Sequence, residues 1–318
     1  MTAYIIRRLL LAILTVVLVT VMIFLTIHLL PGDPIRMVLS QSEVEGMTEE
    51  QIKAMRHEFG LDKPLVAQYF SWLSGVVHGD FGTSIFQRSP VKKELVRRIP
   101  ITLHVGLLSL VIAIILGMPA GVICAVRRGK WIDTLVTVLA NLGITIPGFW
   151  LGILLMYLFA LQLRWLPAFG YTSPFEDFWM STKRIIMPVI CLAVFPLAQT
   201  ARQTRSTMLE VMKQDYIRTA WSKGLIEALI ITKHALKNAL IPVVTTIGIS
   251  LGFIIGGSVL IETVFNIPGM GRLLVTGVLN KDYPYVQSII LIVAVVVLLV
   301  NLLIDVSYGW LDPRIRYK

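Results

Sequence analysis

Six long apolar segments constrain the fold of this chain more than any other feature of its sequence. A helix that crosses a bilayer needs about 20 apolar residues, because the hydrocarbon core is about 30 Å thick and each helical residue adds about 1.5 Å. The fourth segment is short and contains Pro188 and Pro196, which remove backbone donors but are tolerated in spans. We expect the first segment, which is too long for a signal-peptide core, to be a retained anchor. The six segments are residues 9–30, 103–126, 135–160, 185–201, 239–261 and 286–308.

The composition favours an integral membrane protein with an all-α fold. Of the 318 residues, 56% are hydrophobic and 15% are charged. Soluble domains carry about 25% charged residues and are less apolar. In a membrane protein, the net charge of +10 is first expected to set the orientation of the spans and to contact lipid headgroups. Nucleic acid is therefore not an expected partner.

The positions of Lys and Arg predict the orientation of the spans. With six spans and both termini in the cytoplasm, the cytoplasmic segments carry 15 Lys and Arg residues, and the two shorter external loops carry five. Omitting the fourth span would reverse this bias, and the positive-inside rule therefore favours six. Residues 31–100 would then be external, and a segment of that length is translocated largely regardless of its charge.

The external segment contains signals for two short amphipathic helices. Thr48 and Gln51 have the spacing of a capping box, and Pro64 can open a second helix. Leu65, Tyr69, Trp72 and Val76 would share one face of that helix. We predict that both helices lie on the outer surface, either as a structural cap over the bundle or as a docking surface for an external partner.

These features predict four regions. They are a first transmembrane helix at residues 1–30, an extracytoplasmic helical segment at 31–100, a five-helix core at 101–308 and a cytoplasmic tail at 309–318. The core contains a cytoplasmic loop at residues 202–238.

Glycines at four-residue spacing predict close contacts between membrane helices, because small residues let two backbones approach. Such contacts could be static, or they could slide during a conformational change. Pro119 and Pro147 are expected to kink their helices, and a kinked helix could act as a gate. The glycines are Gly117 and Gly121 in the second segment, Gly148 and Gly152 in the third, and Gly248, Gly252 and Gly256 in the fifth.

The sequence predicts no catalytic site, no bound cofactor and no metal site. Cys124 and Cys191 lie in apolar runs, and the five histidines are scattered without a partner at metal-ligand spacing. The phosphate-binding pattern G-x-x-x-x-G-K-[ST] does not occur, nor does a plausible nucleophile, base and acid set. Glu262 and Asp305 lie near span ends, where solvent or a partner can stabilise them, and this argues against an ion-coupled carrier.

The loop at residues 202–238 is basic and amphipathic. Leu209, Met212 and Tyr216 lie at helical spacing, and the glycine after Ser222-Lys223 is expected to end the helix. A second stretch, residues 226–236, leads back to the membrane. A helix, a turn and a helix would form a protruding element whose exposed face could occupy a groove in another protein. The alternative is a helix lying on the inner leaflet.

This loop resembles the cytoplasmic coupling motif of ABC-importer permeases. Arg218-Thr219-Ala220, followed after three residues by Gly224, and His234-Ala235-Leu236 are similar to that motif. The motif usually reads Glu-Ala-Ala, three residues, glycine, and a downstream Leu-Pro. Here Arg218-Thr219 replaces Glu-Ala and the proline is displaced to Pro242, as in the dipeptide, oligopeptide and nickel branch.

The resemblance covers nearly the whole chain and is closest to the first permease subunit type of that branch. Each of the further motifs is weak alone, but their combination is specific. They are Leu30-Pro31-Gly32-Asp33-Pro34, Asp80-Phe81-Gly82-Thr83-Ser84, Trp165-Leu166-Pro167, residues 265–271, Asp282-Tyr283-Pro284 and Asp312-Pro313-Arg314.

The resemblance implies one of two membrane subunits that together enclose a pore in a bacterial or archaeal plasma membrane. Its expected partners are a second, different permease subunit, two cytoplasmic ATPase subunits that bind ATP and Mg, and an extracytoplasmic solute-binding protein. The permease itself would hydrolyse nothing. The residues expected at the ATPase contact are Asp215, Tyr216, Arg218, Thr219, Ala220, Lys223, Gly224 and His234.

The cargo implied by the resemblance is a dipeptide or an oligopeptide. Glutathione-like peptides and a chelated metal such as nickel are alternatives with the same architecture. Direct binding of bare nickel is not expected, because no histidine or carboxylate cluster lines a span. A channel or carrier that works without an ATPase is a more distant alternative.

Overall fold

The computed structural model describes residues 2–29, 32, 35 and 48–311, and within these residues the regular structure is helical, without β-strands. Most of the motif at residues 30–34, all of the motif at residues 312–314 and most of the predicted tail lie outside the described residues. In chain order the helices are α1 (Thr2–Leu29), α2 (Glu49–Glu58), α3 (Leu65–Val77), α4 (Val91–Val126), α5 (Trp131–Thr145), α6 (Gly148–Leu155, continued as a π-helix at Met156–Gln162), α7 (Phe178–Val211), α8 (Asp215–Ser222), α9 (Glu227–Val264, with a π-helical segment at Ile230–Leu236), α10 (Met270–Leu279) and α11 (Tyr283–Leu311).

Within the described residues, five helices are long and apolar enough to cross a membrane: α1, α4, α7, α9 and α11. Each contains one of the apolar segments predicted from the sequence, apart from residue 30 of the first. The bent pair of α5 and α6 would form a sixth span if it crosses as one unit. Many large apolar side chains on these helices are exposed, as expected for surfaces that face lipid.

The third predicted segment, residues 135–160, is not one straight helix. Helix α5 ends at Thr145, Ile146 and Pro147 have extended backbones, and α6 leaves at 103° to α5. A residue before proline is disfavoured in the helical conformation, and this explains the break at Ile146. The predicted kink at Pro147 is confirmed as a complete interruption. Helix α4, in contrast, continues through Pro119.

Helix α4 starts twelve residues before the apolar segment that predicted it. Its first turns contain the ion pair of Arg98 and Glu94, whose Nε and Oε2 atoms lie 2.9 Å apart. Val91 and Leu95, one turn apart, are buried in a cluster with residues of α10 and α11. Tertiary packing therefore extends the helix beyond the part that could lie in hydrocarbon.

The two short helices predicted after the first span are both present. Thr48 and Gln51 form the reciprocal hydrogen bonds of a capping box at the start of α2. Pro64 immediately precedes α3, as predicted. Whether they lie outside the cytoplasm stays a prediction.

Internal contacts divide the chain into two compact units. One contains residues 1–101 and 268–298, and the other contains residues 102–267 and 299–318. In the first unit, Ile23 and Ile27 of α1 pack with Met55 of α2 and with Tyr283 and Val286 of α11. In the second unit, α7 is central, because it contacts α5, α6 and α9. The four regions predicted from the sequence stay a prediction.

Candidate functional site

Helix α8 contains most of the residues predicted at the ATPase contact. A turn at residues 212–214 separates it from α7. Leu209 and Met212 pack against a buried cluster, whereas Tyr216 is 44% exposed. The apolar stripe predicted through these three residues is therefore wrong at Tyr216, because the turn changes the rotation of the chain before α8 begins.

Two side chains anchor α8. Ile217 is fully buried and Ala220 is 7% exposed, and their three-residue spacing puts them on one face of the helix. They belong to a single apolar cluster with Met208 of α7 and Ala125 of α4. The remaining buried members of this cluster come from α9 and are Ile230, Ala235 and Ala239. Ala220 was predicted from the motif, whereas Ile217 was not, although its three-residue spacing from Ala220 indicates a shared face.

The opposite face of α8 is exposed and mostly polar. The Nη1 atom of Arg218 lies 3.4 Å from Oδ1 of Asp215, but the two side chains are 72% and 96% exposed. An exposed pair of this kind contributes little to stability, so the fold does not depend on either side chain. Trp221, which the sequence analysis did not select, is 44% exposed. The opposite face thus offers an acid and a base to solvent or to a partner, and Trp221, one turn after Ile217, adds an aromatic ring at the edge of the buried face.

A polar contact ties α8 to the start of the helix that follows. The Asn238 amide donates hydrogen bonds to the Tyr216 hydroxyl and to the His234 carbonyl, each at 2.9 Å. His234 is half-buried in the π-helical segment of α9. The structure therefore brings Tyr216 and His234 together through Asn238, a residue that the motif comparison did not select.

Gly224 forms the turn after α8 in a left-handed conformation, with φ of +74°. Glycine is strongly favoured in this region because it lacks a Cβ atom. A Cβ placed on Gly224 would meet no atom of the described chain within 4 Å. The neighbouring Lys223 is exposed. The chain itself therefore requires the glycine for its backbone angle and not for its small volume.

The glycines of α4 lie against the backbone of α7. A Cβ on Gly117 would lie 2.7 Å from the Leu197 carbonyl oxygen, and one on Gly121 would lie 2.5 Å from that of Ala201. Both distances are far below normal contact, so these positions accept only glycine at the observed helix separation. The backbones of α4 and α7 therefore approach closely at these two glycines, and a sliding contact there stays a prediction.

The two glycines of α6 also lie close to neighbouring helices. A Cβ on Gly148 would lie 3.3 Å from the Cys191 carbonyl oxygen. One on Gly152 would lie 3.0 Å from the ring of Phe265.

The glycines of α9 have unequal surroundings, although their spacing is regular. A Cβ on Gly248 would overlap the Ile304 side chain, while Gly252 is half-buried. Gly256 is exposed, and a Cβ there would meet no described atom within 4 Å. Regular spacing therefore did not reveal which glycine is packed within the chain.

An ion pair not predicted from the sequence joins α5 to α7. Arg205 donates hydrogen bonds from Nε and Nη2 to the two carboxylate oxygens of Asp133, at 2.6 and 3.0 Å. The Asp133 side chain is 7% exposed and also accepts a hydrogen bond from the Gly129 backbone N–H at 3.0 Å. The pair thus fixes the short turn between α4 and α5 against α7. A separation of 72 positions gave no local sequence signal.

Glu262 is more deeply buried than its place near a span end suggested. Its side chain accepts a hydrogen bond of 2.6 Å from the Thr102 hydroxyl, and the residue is 1% exposed. The partner expected for this carboxylate is therefore present, on α4.

One histidine has a carboxylate neighbour that the sequence analysis did not find. His57 Nδ1 lies 2.6 Å from Oδ2 of Asp62, and this hydrogen bond lowers the pKa of Asp62. The two side chains meet because the turn after α2 folds back on the helix. Within the described residues, no three His, Cys, Asp or Glu side chains converge on one point.

The whole chain is similar to one protein family. Residues 117–317 match the family described as "Binding-protein-dependent transport system inner membrane component", and residues 1–106 match the N-terminal model of the same membrane components. A probable peptide ABC transporter permease protein, y4tP, of Sinorhizobium fredii is 40% identical over 100% of both chains. The glutathione transport system permease protein GsiC of Escherichia coli K12 is 42% identical, also over 100% of both chains.

A solved structure supports the fold independently. A chain of the MetNI methionine ABC transporter, in an inward-facing conformation, matches with a TM-score of 0.56 and 20% identity. The match covers 69% of this chain and 96% of the other. With apolar helices of membrane length and family matches over nearly its whole length, the chain belongs to the binding-protein-dependent transport system inner membrane components, as a permease of an ABC importer.

Proposed function

We propose that this chain forms half of the pore of an ATP-driven importer for short peptides, including peptides of the glutathione type. The support is full-length similarity to two permeases whose names specify peptide and glutathione transport. The external binding protein would select the cargo, and this subunit would provide the path. A second permease subunit would complete the pore, and two ATPase subunits would supply ATP hydrolysis.

In the proposed topology both termini and the loop that contains α8 lie in the cytoplasm. Residues 31–100 lie on the other side. The excess of Lys and Arg in the proposed cytoplasmic segments supports this orientation. The tail at residues 309–318 would then be cytoplasmic as well.

We propose α8 and the turn after it as the contact with an ATPase subunit. The observation that carries this proposal is the division of α8 into a buried face, Ile217 and Ala220, and an exposed face that includes Asp215 and Arg218. The buried cluster connects α8 to α4, α7 and α9. A displacement of α8 by the ATPase would therefore act directly on three membrane helices.

Transport assays in vesicles test the function. The complete transporter, with its binding protein, is reconstituted and supplied with a labelled dipeptide or labelled glutathione. We expect uptake that requires ATP and the ATPase subunits. Uptake that proceeds without them would instead support a carrier or a channel. ATP-dependent uptake of a nickel chelate, with no uptake of either peptide, would overturn the assignment of cargo while retaining that of the permease.

Charge reversal tests the role of α8. Arg218→Glu should leave folding unchanged, because the side chain is exposed, and should separate ATP hydrolysis from uptake. Lys53→Glu, on the exposed face of α2, is the matched control and should have no such effect.

Labelling tests the orientation with the same pair of positions. A membrane-impermeant maleimide should reach Arg218→Cys only from the cytoplasmic side and Lys53→Cys only from the opposite side. External labelling of position 218 would refute both the topology and the coupling proposal.

A further inference from the structure

Helix α3 combines a high apolar content with an exposed position. Its thirteen residues contain no charged side chain. Four large apolar residues on it are nevertheless exposed: Leu65 at 50%, Val66 at 68%, Phe70 at 62% and Val77 at 75%. An isolated exposed apolar residue is ordinary, but a row of them on one short helix requires an apolar surrounding.

The three most exposed large apolar residues of α3 form one stripe, and Leu65, in the first turn, lies about 100° away from it. At 100° per residue, Val66, Phe70 and Val77 fall within about 40° of one another around the helix axis. The half-buried Leu73 lies at the edge of the same stripe. Ala67, Ser71 and Ser74 are also exposed and form a separate stripe of small and hydroxyl-bearing residues.

The third face of α3 packs against α1 at a defined height. The hydroxyls of Tyr69 and Thr20 lie 3.0 Å apart, and the rings of Tyr69 and Trp72 lie 5.4 and 6.4 Å from the ring of Phe24. Closer to the end of α1, His28 Nε2 lies 3.2 Å from the Gln68 side chain. At 1.5 Å per residue, Phe24 is about 8 Å from the end of α1 at Leu29. Helix α3 therefore lies beside the last turns of a membrane-spanning helix. Its side chains contact α1 from His28 back to Thr20, which is further from the end of α1.

The surface of α1 at this height is also apolar and exposed. Met22 is 66% exposed, and Leu25 is 45% exposed. A spanning helix presents such residues to lipid, so the hydrocarbon boundary is expected close to the contact with α3. The three faces of α3 thus correspond to protein, to an apolar phase and to water.

We propose that α3 is an interfacial helix that inserts Val66, Phe70, Leu73 and Val77 into the lipid of the leaflet at the end of α1, while Ser71 and Ser74 face water. Helices of this kind bury an apolar face about 5–10 Å deep at the boundary between headgroups and acyl chains. The partner is therefore the bilayer, and α3 anchors this segment to it. The proposal requires only that α1 spans the membrane, and it does not rest on the cargo or on the coupling role of α8.

The neighbouring helix α2 shows the contrast. Its exposed residues are mainly charged or polar and include Glu49, Glu50, Lys53 and Glu58. Helix α2 has no surface suited to hydrocarbon and would lie in water. The two helices, which the sequence predicted as a similar pair, therefore have different surroundings.

Spin labels distinguish lipid, water and protein at each position of α3. Single cysteines replace Val66, Phe70, Ser71 or Ser74 in a chain in which Cys124 and Cys191 are alanine. The label is attached to the complete transporter in lipid nanodiscs, without and with the external binding protein. Its collision rates are measured with oxygen, which concentrates in lipid, and with a water-soluble nickel complex. Leu18→Cys on α1 and Lys53→Cys on α2 give the reference values for lipid and for water.

We expect the ratio of oxygen to nickel accessibility at Val66→Cys and Phe70→Cys to be several-fold higher than at Ser71→Cys and Ser74→Cys. The ratios should lie well above that of Lys53→Cys and below that of Leu18→Cys, which is deeper in the bilayer, and they should not change when the binding protein is added. High nickel accessibility at Phe70→Cys would overturn the proposal by showing that this face is in water. Low accessibility to both reagents would also overturn it, because a neighbouring protein subunit would then cover the face.

Discussion

The hydroxyl of Ser84 donates a hydrogen bond to the buried carboxylate of Asp282, 198 positions further along the chain. The backbone N–H groups of Ile85 and Phe86 donate to the same carboxylate at 3.2 and 3.3 Å. This contact joins two motifs that are far apart in the sequence, at residues 80–84 and 282–284. It attaches the loop before α4 to the start of α11.

Removing the hydroxyl at this contact should lower stability. A hydrogen bond to a charged group contributes about 1.5–3 kcal/mol, and Ser84→Ala should cost a free energy in this range. Asp282→Asn should cost more, because its NH2 group would face at least one of the three donors. The thermal midpoint of the purified protein in detergent measures both effects. Ser71→Ala, at an exposed position of α3, is the control and should leave the midpoint unchanged.

The same carboxylate predicts a pH dependence. Burial raises the pKa of Asp282, and the hydrogen bonds from Ser84, Ile85 and Phe86 oppose this shift only in part. Because the folded state then holds the proton more strongly than the unfolded state, this group's contribution to stability decreases as the pH rises through the folded-state pKa. We expect the wild-type midpoint to fall more steeply than that of Asp282→Asn as the pH rises above 3.8, the ordinary carboxyl pKa. Parallel pH profiles would contradict a raised pKa.

Two glycine-to-alanine variants should have opposite effects. Gly121→Ala places a methyl group against the backbone of α7, and overpacking of this kind costs about 1–3 kcal/mol. Gly256→Ala meets open space within the chain and should be neutral or stabilising, since alanine favours a helix by up to about 1 kcal/mol. Thermal midpoints test both variants. If Gly256→Ala folds normally but stops transport, a partner subunit or the cargo must approach that position.

The ion pair between α5 and α7 should be sensitive to geometry as well as to charge. Arg205→Lys keeps the positive charge but loses the bidentate hydrogen bonding to the Asp133 carboxylate, so the free energy of unfolding should fall. Asp133→Asn removes the compensating charge and should cost more, although less than the roughly 3–5 kcal/mol of a fully buried pair, because Arg205 is 32% exposed. Thermal unfolding of both variants, compared with Arg202→Lys at an exposed position, measures the difference. Equal midpoints for all three would show that the pair has no structural role.

Substitutions at Gly224 separate backbone conformation from contact with a partner. Asparagine accepts the left-handed conformation more readily than alanine, which is strained there by about 1–2 kcal/mol. If only the backbone angle matters, Gly224→Asn should retain ATP-driven uptake better than Gly224→Ala. If an ATPase subunit lies against this turn, both variants should lose uptake, and the larger asparagine should lose more. Uptake and ATP hydrolysis measured together distinguish the two results.

The sequence by itself determined the helical class, the approximate position of every membrane-length helix, the start of α2 and α3, and the glycine after α8. These features depend on local patterns: the length of an apolar run, a capping box, a proline and a turn signal. The family resemblance was also readable from the sequence, because its motifs are short and contiguous.

Tertiary structure alone decided the contacts between distant positions. The Asp133–Arg205 pair, the Ser84–Asp282 contact and the packing of Gly121 on α7 join residues with no periodic relation in the chain. The same holds for the three faces of α3, whose apolar residues are alike in sequence although only some of them pack on α1. Local patterns specify which segment becomes a helix, but the direction in which each of its sides faces depends on what the rest of the chain places beside it.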